Sequence, residues 1–264
     1  MDTQYQTLQL ANPAPHVTVV TMNRPQAINA MNTQMMLDLH DCFSAFYVDQ
    51  GDTRCLVLTG AGEKGFCAGA DLKERNGMTD DIWRRQHAIV EQTVRAIVTC
   101  PIPIIAAVNG AAYAGGCELA LACDFIYAAD HARFAQTEVA LGIIPGAMGT
   151  QNLPRAIGAR RAKEAILSAT PFTAAEGLAW GLVNKVLPVS DLMPNVLAVA
   201  GRIAANAPIA ARQAKAAIDK AQDLDRANGY AYEIEAYNRT VGTEDRIEGI
   251  RAFNEKRKPV FKGR

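Results

Sequence analysis

The spacing of apolar side chains switches between two periods along the first half of the chain. Val17-Thr18-Val19-Val20-Thr21-Met22 is a β-branched run that predicts a strand, and it stops at Asn23-Arg24-Pro25, where proline ends pairing. From Thr33 onward Met36, Leu39, Phe43 and Phe46 recur at helical spacing, which predicts a helix to about Tyr47. Residues 55–59 read as a short buried strand feeding a glycine-rich loop, Gly60 to Asp71. A second helix is predicted over 83–97 and a strand over 104–108. A turn at Asn109-Gly110 and Gly115-Gly116 opens onto a helix over 117–123, with strands following at 125–128 and 133–136. Repeated strand, glycine loop and helix units predict α/β layers.

After Pro145 the pattern turns helical. Segments 159–168, 173–180, 192–207, 209–222, 226–241 and 245–254 are alanine-rich and amphipathic, punctuated by Gly177, Gly181 and Pro208. A helical C-terminal third of this kind is a candidate for self-association. No internal repeat or low-complexity linker divides the chain.

With 264 residues, 49% apolar and 20% charged, the chain can bury one large core, and its composition excludes disorder, collagen and coiled coil. Lys+Arg and Asp+Glu are both 27, so neither a nucleic-acid nor an anionic-membrane surface is expected to dominate. The start is polar without a basic leader, and the greasiest stretch, 97–108, is too short for a bilayer and holds Pro101 and Pro103. The expectation is an unexported, cytoplasmic protein with no membrane partner. Six cysteines form no C-x-x-C pair and no metal spacing, so free thiols and no metal are expected.

Several motifs fail on context. Gly60-Ala61-Gly62-Glu63-Lys64-Gly65 matches a dinucleotide fingerprint, yet no helix opens inside it and Gly69 interrupts soon after. No Walker motif occurs, and none of the three serines sits in a nucleophile elbow. The four histidines lack zinc-enzyme spacing, and His87, which follows Trp83 on one helical face, reads as packed or half-exposed.

Two carboxylates remain. Glu118 opens an apolar small-residue helix in Gly115-Gly116-Cys117-Glu118-Leu119-Ala120, and Glu138 stands on the lip of another apolar run. A buried carboxylate is either hydrogen-bonded for structure or kept for chemistry, and for either one alone an ion pair with Arg133 or Arg155 competes. Gly69-Ala70-Asp71 and Ala114-Gly115-Gly116 each follow a predicted strand, where small residues let backbone amides approach a ligand. Ordinary tight turns would explain either loop alone. Two donor loops with two carboxylates describe proton transfer next to a carbonyl.

The stretches Asn23-Arg24-Pro25-Gln26-Ala27-Ile28-Asn29-Ala30-Met31, Phe66-Cys67-Ala68-Gly69-Ala70-Asp71-Leu72-Lys73, Ala114 to Ala120, Gly142-Ile143-Ile144-Pro145-Gly146 and Ala252 to Lys258 together resemble the enoyl-CoA hydratase (crotonase) family. That resemblance implies an α/β fold, a crotonase-like spiral of β-β-α units over 1–195. A helical region over 196–264 would serve oligomerisation and cover the coenzyme, and the family usually forms a trimer or dimer of trimers. It implies an oxyanion hole from the amides of Ala70 and Gly115, catalytic roles for Glu118 and Glu138, and water positioning by Gly146. It places Gln26, Ala27, Ala68, Ala70, Asp71, Leu72 and Lys73 along a coenzyme A groove, joined by Phe253 and Lys256 from a neighbouring subunit. Met78, Trp83, Tyr113 and Met148 would line the acyl pocket.

The implied activity is syn hydration of a trans-2-enoyl-CoA, with coenzyme A as part of the substrate and no separate cofactor. Both glutamates are present, which favours hydration over the family's isomerases. Ala114, Met148 and Asn152 depart from common family residues, and Met148 would reshape the acyl pocket near Glu138. Asp71-Leu72-Lys73-Glu74-Arg75, with Met78, also resembles members that hydrate methylglutaconyl-CoA. The alternatives are a Δ3,Δ2-enoyl-CoA isomerase, a methylglutaconyl-CoA hydratase-like enzyme, and a non-catalytic acyl-CoA or RNA-binding scaffold.

Overall fold

A computed structural model describes residues 4–264. The chain opens with β1 (Leu8–Ala14), β2 (Val17–Met22) and α1 (Thr33–Val48). Then come β3 (Cys55–Gly60), β4 (Gly65–Cys67), α2 (Leu72–Arg75), α3 (Asp80–Val98), β5 (Ile104–Val108), β6 (Ala111–Tyr113) and α4 (Gly115–Ala122). A third unit holds β7 (Phe125–Ala129), β8 (Arg133–Ala135), α5 (Gly149–Ile157) and α6 (Ala159–Ser168). The remainder is β9 (Phe172–Thr173), α7 (Ala174–Trp180), β10 (Lys185–Leu187), α8 (Val189–Ala204), α9 (Pro208–Ala221), α10 (Arg226–Val241) and α11 (Glu244–Asn254).

Two sheets run through the molecule. The long one has the order β1-β2-β3-β5-β7-β10 and the short one β4-β6-β8-β9. All pairs are parallel except β1–β2 and β8–β9. After the opening β1–β2 hairpin, which lies wholly in the long sheet, each of the next three units lays one strand in the long sheet, one in the short sheet, and then a helix. One ββα unit makes one turn of a coil, and the α/β expectation is met.

β3 and β5 are buried at every position, as strands covered on both faces require, so they read as continuous apolar runs. Helices α1 and α3 pack together on that layer, joined by Thr93 Oγ1 donating to the Met36 carbonyl at 2.9 Å. α3 begins at Asp80, earlier than predicted, because the Thr79 side chain caps it. All six cysteines are free and buried.

Other elements were not legible. β1 exposes most of its positions, and β4, β6, β9 and β10 are three residues or fewer, too short for a period. α5 carries Pro154 inside it, which masks a helical pattern. The expected boundary at 195/196 falls within α8, whose Leu192, Val196, Ala200 and Ala204 are buried as it packs on the long sheet. Among the described residues no helix is long and apolar enough to cross a membrane.

The short sheet places the site. Its register pairs Cys67 with Ala112 and Tyr113 with Ala135. The segments that follow β4, β6 and β8 therefore emerge side by side at the carboxyl ends of three adjacent parallel strands, where α/β proteins bind ligands.

Candidate active site

Glu118 lies in the first turn of α4 and Glu138 opens a short 3-10 turn after β8; both are buried. Among the described residues no arginine forms an ion pair with either: Arg133 is exposed, and Arg155 pairs with Asp223 at 3.6 Å. Instead Glu118 Oε1 accepts the N–H groups of Ala147 and Gly149, each at 2.8 Å. Met148, between them, adopts the left-handed conformation (φ 71°), which turns both amides the same way into a small anion cradle. Burial pushes the Glu118 pKa up, and these two amides hold it back by favouring the charged form.

Glu138 has no such cradle. Burial first, then the charge of Glu118, push its pKa up to about 7. Gln136, fully buried, adjoins it: with its amide nitrogen turned toward the carboxylate it donates to both oxygens at 3.2 Å. Turned the other way, its oxygen meets the protonated carboxyl, so one amide serves either state. The two nearby acids thus sit in different environments, Glu118 with two amides that favour its charged form and Glu138 with a pKa pushed up to about 7.

The two amide loops lie back to back. A Cβ on Gly69 would stand 3.4 Å from the Gly115 nitrogen and 2.8 Å from the Tyr113 carbonyl oxygen. Ala70 bridges to Met31, but that bridge uses the N–H groups of Met31 (2.8 Å to the Gly69 carbonyl) and Asp71 (2.9 Å to the Met31 carbonyl), leaving that of Ala70 outside it. Gly115 is the first residue of α4, where the N–H has no intrahelical acceptor. Ala114, just before it, has φ 50° and ψ −124°, a region suited to glycine. Relieving that strain outweighs the added chain entropy of glycine, so Ala114→Gly is expected to stabilise the fold by about 1 kcal/mol. Thermal unfolding would show a Tm higher by about 2–4 °C, and a lower Tm would refute the strain.

Both carboxylates and both amide loops line one cavity of about 580 Å³. Met31 and Met36 contribute from the first unit, Trp83, Gln86, His87, Val90 and Glu91 from α3, and Leu141, Ile143, Ile144, Gly146 and Ala147 from the segment after Glu138. Gly146 is needed for close approach: a Cβ there would stand 2.5 Å from His87 Cε1. A family model described as enoyl-CoA hydratase/isomerase matches residues 14–264. The chain belongs to that family.

A short-chain-enoyl-CoA hydratase of Clostridium acetobutylicum is 41% identical over 92% of this chain and 92% of its own. A crotonyl-CoA hydratase of Syntrophomonas wolfei is 40% identical over 93% of this chain and 94% of its own. The crystal structure of an enoyl-CoA hydratase from Bacillus anthracis matches with a TM-score of 0.96 at 43% identity, covering 98% of this chain and all of that one. The chain is accordingly an enzyme of the enoyl-CoA hydratase/isomerase family.

In this family member the expected site residues divide into two groups. Glu118, Glu138, Ala70, Gly115, Gly146, Ala68, Leu72 and Trp83 all line the cavity. Met78 and Tyr113 do not line it, and Met148 borders an adjoining cavity of about 350 Å³ with Val94, Arg95 and Val98. Gln26 is exposed on a 3-10 turn with Ala27, and Lys73 is exposed on α2.

Asp71 is occupied within the fold. It caps α2 and pairs with Arg24 at 2.9 Å; burial raises its pKa, but the Arg24 hydrogen bond and the α2 amides outweigh that and hold it below the usual range. Phe253 and Lys256 are exposed at the end of α11, outside the cavity of their own chain. The dinucleotide reading fails in the structure too, since Gly65 starts β4 and no helix opens in the motif. Among the described residues no three His, Cys, Asp or Glu side chains are grouped to hold a metal ion.

Sequence reasoning missed Gln136, Arg75, Gln86 and the Ala147 and Gly149 amides. Main-chain donors carry no residue-type signal; a left-handed Met148 between two small residues leaves none either.

Proposed function

We propose that this enzyme adds water syn across the C2=C3 bond of a trans-2-enoyl-CoA to give a 3-hydroxyacyl-CoA. The observation that carries the reading is the opposed state of the two acids, Glu118 cradled by two amides and Glu138 shifted to about 7, on one cavity with two unspent amides. The hydratase names of the relatives support it. The thioester oxygen accepts from the Ala70 and Gly115 N–H groups. Water attacks C3, Glu118 takes its proton, and Glu138 delivers a proton to C2 while the amides hold the enolate charge. One water is consumed, and the proton left on Glu118 returns to Glu138 through solvent.

The coenzyme would leave the cavity past Ala68 and Leu72 toward Gln26, Ala27 and Lys73, with Phe253 and Lys256 of a neighbouring copy closing over it. The apolar side chains that α10 and α11 expose, such as Tyr237, Ile247 and Ile250, support self-association into trimers or a dimer of trimers.

Crotonyl-CoA hydration, followed by loss of the conjugated thioester absorbance, tests the reading. Activity is expected with a bell-shaped pH profile. The alkaline limb falls near pH 7 as Glu138 loses the proton it must donate, and the acid limb falls as Glu118 becomes protonated. Inertness toward all short and medium trans-2-enoyl thioesters would end this reading, and faster turnover of a 3-enoyl thioester to the conjugated isomer would replace it with double-bond isomerisation.

A further inference from the structure

The amides of Ala70 and Gly115 come from different loops, and a single residue spans them. Met31 is buried and lines the cavity. Its main chain brackets Ala70: the Met31 N–H donates to the Gly69 carbonyl at 2.8 Å, and the Met31 carbonyl accepts the Asp71 N–H at 2.9 Å. Its side chain reaches the other loop. A Cβ on Gly115 would stand 2.5 Å from Met31 Cε, so the terminal methyl fills the space beside that residue.

Met31 is itself held against movement. Arg24 donates from Nη1 to the Ala30 carbonyl and pairs through Nη2 with Asp71 at 2.9 Å, so one guanidinium ties together residues on both sides of the bridge. Asn29, fully buried, donates to the Ala61 and Gly65 carbonyls, each at 3.0 Å, and accepts the Arg24 N–H at 3.0 Å. Ile28 and Asn29 are both left-handed, with φ 50° and 54°. For a β-branched residue such as Ile28 that conformation is strained, and it persists only where the surroundings over-determine it. This anchored turn delivers one unbranched side chain to the neighbouring loop.

Two amides stabilise a developing oxyanion only when both point at one oxygen, and about 1 Å of misplacement can cost ~100-fold in rate. We propose that Met31 is a positioning residue for that donor pair: its main chain orients the Ala70 amide, its side chain sets the approach of Gly115, and together they fix the separation of the two donors. The proposal rests on the assignment of these amides to the thioester oxygen in the hydratase reading, and adds the residue that spaces them. No proton passes through Met31, and the hydration step is unchanged.

The test reads the polarisation of the thioester directly. The CoA thioester of para-dimethylamino-trans-cinnamic acid absorbs further to the red when its carbonyl oxygen accepts hydrogen bonds, because the ring nitrogen then pushes charge toward that oxygen. Wild type is expected to red-shift the bound probe. Met31→Val removes the terminal methyl and leaves the main-chain bridge in place. It is expected to lose about half or more of that shift and to lower kcat for crotonyl-CoA about 10- to 100-fold, with KM nearly unchanged. Met31→Leu keeps the volume but not the reach, so it should fold and fall between the two; it decides the matter if Met31→Val does not accumulate. The shift is measured on bound probe, so a lower Tm by itself does not move it.

An undiminished red shift in the variant that folds would overturn the proposal. So would altered KM values across acyl lengths at constant shift, which would make Met31 a wall of the pocket and nothing more. Absence of any shift in wild type would also overturn it, and crotonyl-CoA hydration in that case would leave the hydratase reaction standing without this donor pair. A shift lost in Met31→Val by an enzyme inert toward crotonyl-CoA would uphold the spacing role and remove the hydratase reading.

Discussion

Glu138→Gln is expected to lower kcat for crotonyl-CoA hydration by ~10²–10⁴-fold, and Glu118→Gln by a similar factor, with smaller changes in KM. Each amide keeps the shape of the carboxyl it replaces but transfers no proton. In the proposed mechanism the two acids work as a pair on one water, so the double variant should fall little below the worse single one.

Glu138→Gln also has a stability signature, set by the raised pKa of the carboxyl it replaces. The folded pKa of about 7 lies above the ordinary 4.5, so between those values the native state binds more protons than the unfolded state. Wild-type stability therefore falls as pH rises through that window, by ~3 kcal/mol at most, and the neutral amide escapes that loss. Thermal unfolding as a function of pH should show the variant gaining on wild type up to about pH 7 and holding its lead above it. Parallel Tm curves would refute the raised pKa of Glu138, and full activity in both single variants would remove the two acids from the chemistry.

The second large effect is on folding. Gly116→Ala would put a Cβ 2.1 Å from the Cys67 carbonyl oxygen and 2.7 Å from its carbonyl carbon. Both partners are backbone, α4 against β4, and neither can rotate away. The cost is expected to exceed ~4 kcal/mol, enough that little folded protein accumulates. At Gly146 the obstacle is the edge of the His87 ring, a side chain that can move, so Gly146→Ala should fold and disturb only the site. Gly201→Ala is the control: nothing lies within 4 Å of its Cβ, and alanine in α8 should match or raise the wild-type Tm. Normal folding of Gly116→Ala in denaturation curves would contradict this packing of α4 on β4.

Cys67 and Gly116 also show why part of the site was hidden. Nothing in the local pattern around Gly65, Phe66 and Cys67 marks a strand, because three residues carry no period; β4 exists because β6 pairs with it. Once it does, the amide of Ala70 and the first turn of α4 have a fixed relation. The carboxylates were readable for the opposite reason. An acid amid alanine, leucine and isoleucine is unusual wherever it falls, since its neighbours cannot solvate it. Arg75 lies between those cases: its charge is visible, but in a run with Lys73 and Glu74 it reads as surface until Trp83 and Gln86 are seen to hold it.

By itself the sequence determined the buried strands β3 and β5, the amphipathic helices, and the two acids placed where water is scarce. These depend on local periodicity and on the mismatch of one residue with its immediate neighbours. Which acid is cradled by amides, which amides remain free, and which arginine is held against Trp83 and Gln86 were decided only by tertiary structure. Each of those turns on a partner from another element, as Ala147 and Gly149 are to Glu118, or on main-chain directions that residue types do not encode.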